Sequence, residues 1–362
     1  MGQIRTFVEA DIPRVAPLHR AVFKTDRRPG GAGLEAYHAY FTRVFLENPA
    51  RDPALPSLVY EEDDGTISGF LGVVPRQLTM NGRRYHAAIS SQFVVEPNSH
   101  AGLVALRLAR AFLEGPQDLS ISDDANDTSR KIWEGLGGTT AVLHSLYWTR
   151  PLRPARLALS MLRGHPRLAP LALAAAPVAP LIDALATRIR HSQLYQAPRD
   201  VSGSDDLTGR TVLACLPRCT RAGSLRVDYD EATLTWVLEG AKRRKPTGSL
   251  RTTVVRKDDR VIGWYLYHLD GRIADVLQIA SEPGRVREVL DHLFYQAGRD
   301  GAMAATGRID PRYLQAFSDR YCLLHRRGPW VLLSTRHPEL LRSFESGDAS
   351  FSRLDGEWCL GF

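Results

Sequence analysis

The stretch S-S-Q-F-V-V-E-P-N-S-H-A-G-L-V-A-L-R-L, Ser90 to Leu108, decides how the chain is read. Tyr85 to Val95 reads as a strand that Glu96-Pro97 ends. Leu103 to Leu113 carries apolar residues at helical spacing, and Gly115-Pro116 stops it. A strand, a short glycine-containing turn and a helix in that order leave unpaired helix N–H groups at the turn. That arrangement is common in α/β proteins and by itself names no ligand.

Upstream, Ile4 to Phe7 reads as a strand, and Asp11 caps a helix with an apolar stripe through Ile12, Val15, Leu18 and Val22. A second helix is expected over Leu34 to Leu46. Ser57 to Tyr60 and Ile67 to Val74 read as strands joined by the turn Asp63-Asp64-Gly65. Downstream come a short strand at Leu119 to Ser122, a helix from Asn126 to Leu136 and a strand from Thr139 to Trp148. The order β-α-α-β-β-β-α-β-α-β predicts a mixed sheet covered by helices.

A second stretch, A-N-D-T-S-R-K-I-W-E-G-L-G-G from Ala125 to Gly138, stands about thirty residues further on. Together the two stretches resemble the GNAT superfamily of acyl-CoA-dependent transferases. In that family a Gln/Arg-x-x-Gly-x-Gly/Ala loop receives the CoA pyrophosphate. Aligned from Pro97, the three signature positions fall on His100, Leu103 and Ala105, or one residue earlier on Ser99, Gly102 and Val104. Either way one signature glycine is replaced. The later helix matches at Asn126, Ser129, Ile132, Trp133 and Gly137.

The resemblance implies an acyl-CoA cosubstrate, acetyl-CoA or another acyl-CoA, and no metal. It implies a cosubstrate site formed by Phe93, Val94, Val95, Ser99, His100, Ala101, Gly102, Leu103 and Val104, with Asn126 and Ser129 on the later helix. Strand amides near Val94 and Val95 would polarise the thioester carbonyl. Trp133 stands where the family usually places a Tyr beside the thioester sulfur, and its indole N–H can donate a hydrogen bond but not a proton. Glu96, His86 and Glu61 are the base candidates by chain position, with Glu96 first. Plainer readings exist for each: Asn126 as a helix cap, Trp133 as core, Glu96 as surface.

Arg150 to Asp206 breaks the pattern with Pro151, Pro154, Pro166, Pro170, Pro177 and Pro180 among Leu, Ala and Arg. It reads as a connector or a partly helical bridge that packs between domains, with shallow membrane or partner contact as the alternative. Its uncharged run from Leu168 to Ile182 is shorter than the roughly 20 residues a membrane span needs. Beyond it, a helix near Ala232 to Ala241, strands near Thr252 to Arg256, Val261 to His268 and Arg272 to Ile279, and a helix near Arg285 to Ala297 repeat the first half's order. Ala302 to Ala305, Pro311 to Phe317 and Trp330 to Ser334 continue it. The expected organisation is α/β (α+β): two GNAT-like mixed-sheet domains with flanking helices, at 1–150 and 207–362, joined by 151–206. Gln278 to Arg285 resembles the phosphate loop superficially. Asp310-Pro311-Arg312-Tyr313 stands where the Asn-led helix would be, so the second copy is expected to shape substrate rather than catalyse.

Apolar residues make up 44% and charged residues 24% of the 362, an ordinary globular balance. The +7 net charge is modest and mostly arginine, and Lys242-Arg243-Arg244-Lys245 is most simply a solvated helix end, so no nucleic-acid partner is expected. Cys215, Cys219, Cys322 and Cys359 fit neither a zinc site nor a disulfide framework. The N-terminus lacks an apolar signal core, and a cytoplasmic location is expected. The final Ser352 to Phe362, rich in Trp and Phe, is expected to dock into the fold. The function expected is N-acylation of a small-molecule amine such as an amino sugar or amino acid, with self-association left open. The rivals are a noncatalytic CoA-binding protein and FemABX-like aminoacyl transfer.

Overall fold

The structure, a computed structural model, describes residues 2–23, 33–98, 100–163, 167–188, 201–244 and 248–362. The first half forms β1 (Gln3–Thr6), α1 (Ile12–Phe23), α2 (Leu34–Phe41), β2 (Leu58–Glu61), β3 (Ile67–Met80), β4 (Arg83–Val95), α3 (Ala101–Leu113), β5 (Leu119–Ala125), α4 (Asp127–Gly135), β6 (Thr139–Thr140) and β7 (Tyr147–Pro151). Next come α5 (Pro154–Arg163), α6 (Ala169–Ala175), α7 (Ala179–Arg188), β8 (Ser202–Ser204), α8 (Gly209–Cys219), β9 (Arg226–Val227) and α9 (Glu231–Arg243). The rest is β10 (Ser249–Lys257), β11 (Arg260–Leu269), β12 (Ile273–Ser281), α10 (Val286–Arg299), β13 (Ala304–Arg308), α11 (Leu314–Asp319), β14 (Leu323–His325), β15 (Trp330–Thr335) and α12 (Pro338–Glu345).

These elements make two compact units. The first holds Met1–Ser145, Gly223–Ala241 and Pro329–Phe362; the second holds Leu146–Ala222 and Lys242–Gly328. In the first, the sheet runs β1-β2-β3-β4-β5-β15-β6, with β9 also beside β3. Neighbours are antiparallel except β4 and β5, which are parallel. A parallel pair needs a crossover, and α3 supplies it. The helix lies close over β3 at Gly69, where an added Cβ would stand 2.8 Å from Val104 and 2.7 Å from Leu108. Trp133 of α4 and Phe112 of α3 pack in the same core, ring centroids 5.9 Å apart.

In the second unit the sheet runs β14-β7-β13-β12-β11-β10-β8. Here β12 and β13 are the parallel pair and α10 is the crossover between them. The layout repeats that of the first unit. Beside the parallel pair, β15 occupies in the first sheet the place that β7 occupies in the second. Each sheet therefore takes this strand from the other half of the sequence.

Two mixed sheets with flanking helices are what the sequence led us to expect, and the difference lies in the connections. The single strand expected over Thr139–Trp148 is two strands in two sheets. Ser145 divides them: its Oγ donates to the Ala141 carbonyl at 2.8 Å and accepts the Val331 N–H at 2.9 Å, which holds this end of the segment beside β15. Cuts at 150 and 206 do not follow the units, because 223–241 and 329–362 return to the first. The expected connector contains α5, α6 and α7, and its residues 189–200 lie outside the described residues.

A fragment of residues 1–150 lacks β15 and leaves the largely buried strand β5 without an antiparallel neighbour. Followed by circular dichroism on heating, it should show no cooperative transition, whereas the full chain should. A melt of the fragment matching the full chain's would contradict this topology.

Candidate functional site

The parallel ladder between β4 and β5 is short. It pairs Ala87 with Leu119, Ala88 with Ser120 and Ile89 with Ile121, and there it stops, although β4 continues to Val95 and β5 to Ala125. The cause lies on the opposite edge of β4. Against β3, Ser91 pairs with Gly72 and Val94 with Phe70, so Gln92 and Phe93 together face Leu71. Such a bulge bends its strand and increases the local twist, turning β4 away from β5.

Gln92 sits in the left-handed region at φ 53°, a costly place for a residue with a side chain. Its surroundings hold it there. Its Oε1 bonds to Nε2 of the buried His19 at 2.6 Å, and since an amide oxygen can only accept, the histidine donates. Burial holds the His19 pKa below its ordinary value, with the Gln92 bond acting the other way, so the ring is neutral at pH 7. His19 Nδ1 lies 3.4 Å from the Tyr37 hydroxyl, and Tyr37 stacks on Phe362 at 4.4 Å.

On the β5 side, past the end of the ladder, the Asp124 N–H donates to Glu357 Oε1 at 3.0 Å, and Ser122 Oγ donates to the same oxygen at 3.2 Å. The Glu357 N–H in turn donates to Asp123 Oδ1 at 2.6 Å. Gly356 makes this approach possible, because a Cβ there would run into the Asp123 carboxylate. Burial first, then the charges of Asp124 and Asp123, push the Glu357 pKa well above the usual carboxylate range. A carboxyl of raised proton affinity at the end of β5 is a candidate general base.

The segment carrying Glu357 is pinned on both sides. Asp355 accepts from Ser352 N and Oγ, both at 2.6 Å, and from the Tyr229 hydroxyl at 2.8 Å, while burial raises its own pKa. Arg76 Nε donates to the Asp355 carbonyl at 3.2 Å, and Tyr40 donates to the Leu360 carbonyl at 2.7 Å. Nothing local to Glu357 pointed to a site. Its tail read as a docking segment, but its partners on β5 are more than two hundred residues away in sequence.

Because β4 and β5 are parallel, the turns that follow them lie at the same end of the split. Phe93, Val94 and Val95 are there on β4, followed by the exposed Glu96. Val94 and Val95 pair with β3 on one side. His100 is the N-cap of α3, and Ala101, Gly102, Leu103 and Val104 form its first turn, which contains no acidic residue. Asn98 shapes the turn, its Oδ1 accepting the His100 N–H at 2.9 Å and its carbonyl the Ala101 N–H at 3.2 Å. Val104 points into the core, while Leu103 is exposed. Ser99 lies outside the described residues.

After β5, Asn126 caps α4 by accepting the Ser129 N–H at 2.9 Å. The plainer reading of that residue is thus what the geometry displays. Trp133 is 1% exposed and packed in the core beside Phe112. Glu61 is also elsewhere: hydrogen bonds from Arg5, then from Arg14, hold its pKa down at about 2, too low for a base at neutral pH. His86 sits near the opposite end of β4, where its Nδ1 is 3.2 Å from Gln77.

In the second unit the β12–β13 ladder stops at Val276–Gly307, and β12 runs on to Ser281. There the Ser281 N–H donates to the Tyr313 hydroxyl at 3.2 Å, and Arg312 Nε is bonded to Asp310 at 2.9 Å. The chain's own side chains address the place that stands open in the first unit. Among the described residues no group of three or more His, Cys, Asp or Glu could hold a metal ion.

No family model matches the chain, and no curated protein matches it in sequence. Solved structures do. A conserved protein of unknown function from Enterococcus faecalis V583, "Probable N-Acyltransferase", is similar with a TM-score of 0.57 at 12% identity, over 95% of this chain and 74% of that one. A GCN5-related N-acetyltransferase from Anabaena variabilis ATCC 29413 is similar with a TM-score of 0.56 at 12% identity, over 92% and 72%. One from Kribbella flavida is similar with a TM-score of 0.51 at 14% identity, over 92% and 71%. With its split parallel pair, bulged strand and crossover helix, the chain has the fold of the GCN5-related N-acetyltransferases.

Proposed function

We propose that the chain is an acyl-CoA-dependent N-acyltransferase. It takes acetyl-CoA or another acyl-CoA and acylates the amine of a small metabolite such as an amino sugar or amino acid. The observation that carries this reading is the split between β4 and β5, with the α3 N-terminus at its open end and the Glu357 carboxyl on its β5 side. The amides of β4 beyond the ladder's end are available to the amide-containing arm of CoA and to the thioester oxygen, and the helix N-terminus suits its phosphates.

Attack by the amine forms the new amide C–N bond and breaks the thioester C–S bond. One proton leaves the nitrogen, and the departing thiolate takes one up, so that CoA leaves as the thiol. Glu357 is the residue we assign to receive the amine proton, because a raised pKa makes its carboxylate a stronger base. Glu96, exposed at the end of β4, is the second candidate. Trp133 takes no part in proton transfer, and the second unit shapes the protein without a second reaction. All four cysteines are free and buried, which suits the cytoplasmic location of this reading.

Binding is tested by thermal shift with CoA and acetyl-CoA. A ligand selective for the native state adds about 2.7 kcal/mol at a hundredfold excess over its Kd, seen as a rise in Tm. No shift with CoA, acetyl-CoA or longer acyl-CoAs would remove the proposal. A shift without thiol release across an amine panel would favour the noncatalytic reading instead.

The base is tested by Glu357→Gln, which keeps the oxygen that Asp124 and Ser122 address. Thiol release should fall about a hundredfold, with the CoA-induced shift in Tm unchanged. A base works only deprotonated, so the wild-type rate should climb as pH rises through the raised Glu357 pKa, and that limb should vanish in the variant. If the limb persists in Glu357→Gln and disappears in Glu96→Gln, the assignment passes to Glu96.

A further inference from the structure

Helix α7 carries its amphipathic pattern inside out. Val178, Leu181, Ile182 and Leu185 follow the i, i+3, i+4, i+7 spacing of one helix face, and all four are more than half exposed. Among the described side chains of the helix, Ala179 and Asp183 are the buried ones. The register is fixed by chemistry: the Asp183 carboxylate accepts the Ala155 N–H at 2.8 Å and the Arg156 N–H at 3.3 Å, capping α5. Turning the apolar face inward would remove that cap. Met161 on α5 and Leu173 on α6, helices that pack on one another, are also more than half exposed.

Charge accompanies this apolar surface. From 151 to 188 the chain carries Arg153, Arg156, Arg163, Arg167 and Arg188, and its sole acid is the buried Asp183. A cavity of about 440 Å³ opens on the same helices, lined by Arg156, Arg163 and Arg272 with Leu159 and Met303. Clustered exposed apolar side chains mark an interaction surface. A surplus of arginine without exposed acid specifies an anionic partner.

We propose that this three-helix face docks on anionic phospholipid membranes, lying in the interface rather than crossing it. Its Leu, Ile and Val side chains enter the boundary between headgroups and acyl chains. Arg163 and Arg167 meet lipid phosphates, and the arginine-lined cavity takes one headgroup. None of the described helices is long and apolar enough to cross a membrane.

The test is co-sedimentation of the full chain with vesicles of phosphatidylglycerol and phosphatidylcholine, against vesicles of phosphatidylcholine alone, at low and high salt. Binding should be about tenfold or more tighter to the anionic vesicles and should weaken as salt is raised. The Leu181→Glu/Leu185→Glu variant should lose binding with its thermal melt unchanged, because both side chains face solvent. The Arg163→Glu/Arg167→Glu variant should lose the salt-sensitive part. No binding to phosphatidylglycerol vesicles, or equal binding to neutral ones, overturns the proposal. It is equally overturned if the wild type is an oligomer that Leu181→Glu/Leu185→Glu turns into monomers, since the face would then join copies of the chain. Full competition by inorganic phosphate, with the leucine variant binding normally, would reduce the surface to a free-anion site and overturn it too.

Discussion

Three residue pairs hold β4 to β5, and the bulge at Gln92 and Phe93 keeps there from being a fourth. Had the ladder continued, the two strands would have satisfied each other's amides and nothing could have entered between them. The bulge is not free. It puts Gln92 in a conformation that a side chain disfavours, and the buried pair of His19 and Tyr37 is what holds it. The aromatic packing of α1 and α2 thus acts on the site through one glutamine side chain, and the opening depends on it.

The interleaving of the chain bears on the same place. Because 329–362 returns to the first unit, β5 gains β15 as a neighbour and Glu357 reaches the end of β5. A chain cut into two sequential domains would deliver neither. The second unit shows the contrast within one molecule: it has the same parallel pair and crossover helix, but Tyr313 engages the end of β12. The two halves share a scaffold and differ in what addresses the gap.

Much of the scaffold was legible locally. The strand ending at Glu96-Pro97, the helix through Val104 and Leu108, and the hairpin of β2 and β3 follow from periodicity and from breakers, which act over a few residues. The strand exchange was not legible, because Thr139 to Trp148 has the composition of one strand and it is long-range bonds, among them those of Ser145 and Ala141 to Val331 and of Leu146 to Ile309, that divide it. Asn126 and Trp133 matched a pattern by spacing, and in the fold the Asn126 Oδ1 accepts the Ser129 N–H while Trp133 lies in the core. Glu357 was invisible for the opposite reason. A carboxylate acquires a raised pKa from burial and from neighbours, and Asp123 and Asp124 are brought to it by the fold alone. Turn and helix signals are local, and a raised carboxyl pKa is a tertiary property.

Hydrogen exchange of the full chain with and without CoA bears most directly on the split as the cosubstrate site. Ligand seated between the strands should slow exchange of the β4 amides from Ser90 to Glu96 and of the first turn of α3, while β12 and α10 of the second unit stay unchanged. Protection confined to the second unit, or absent from β4 at saturating CoA, would contradict the account.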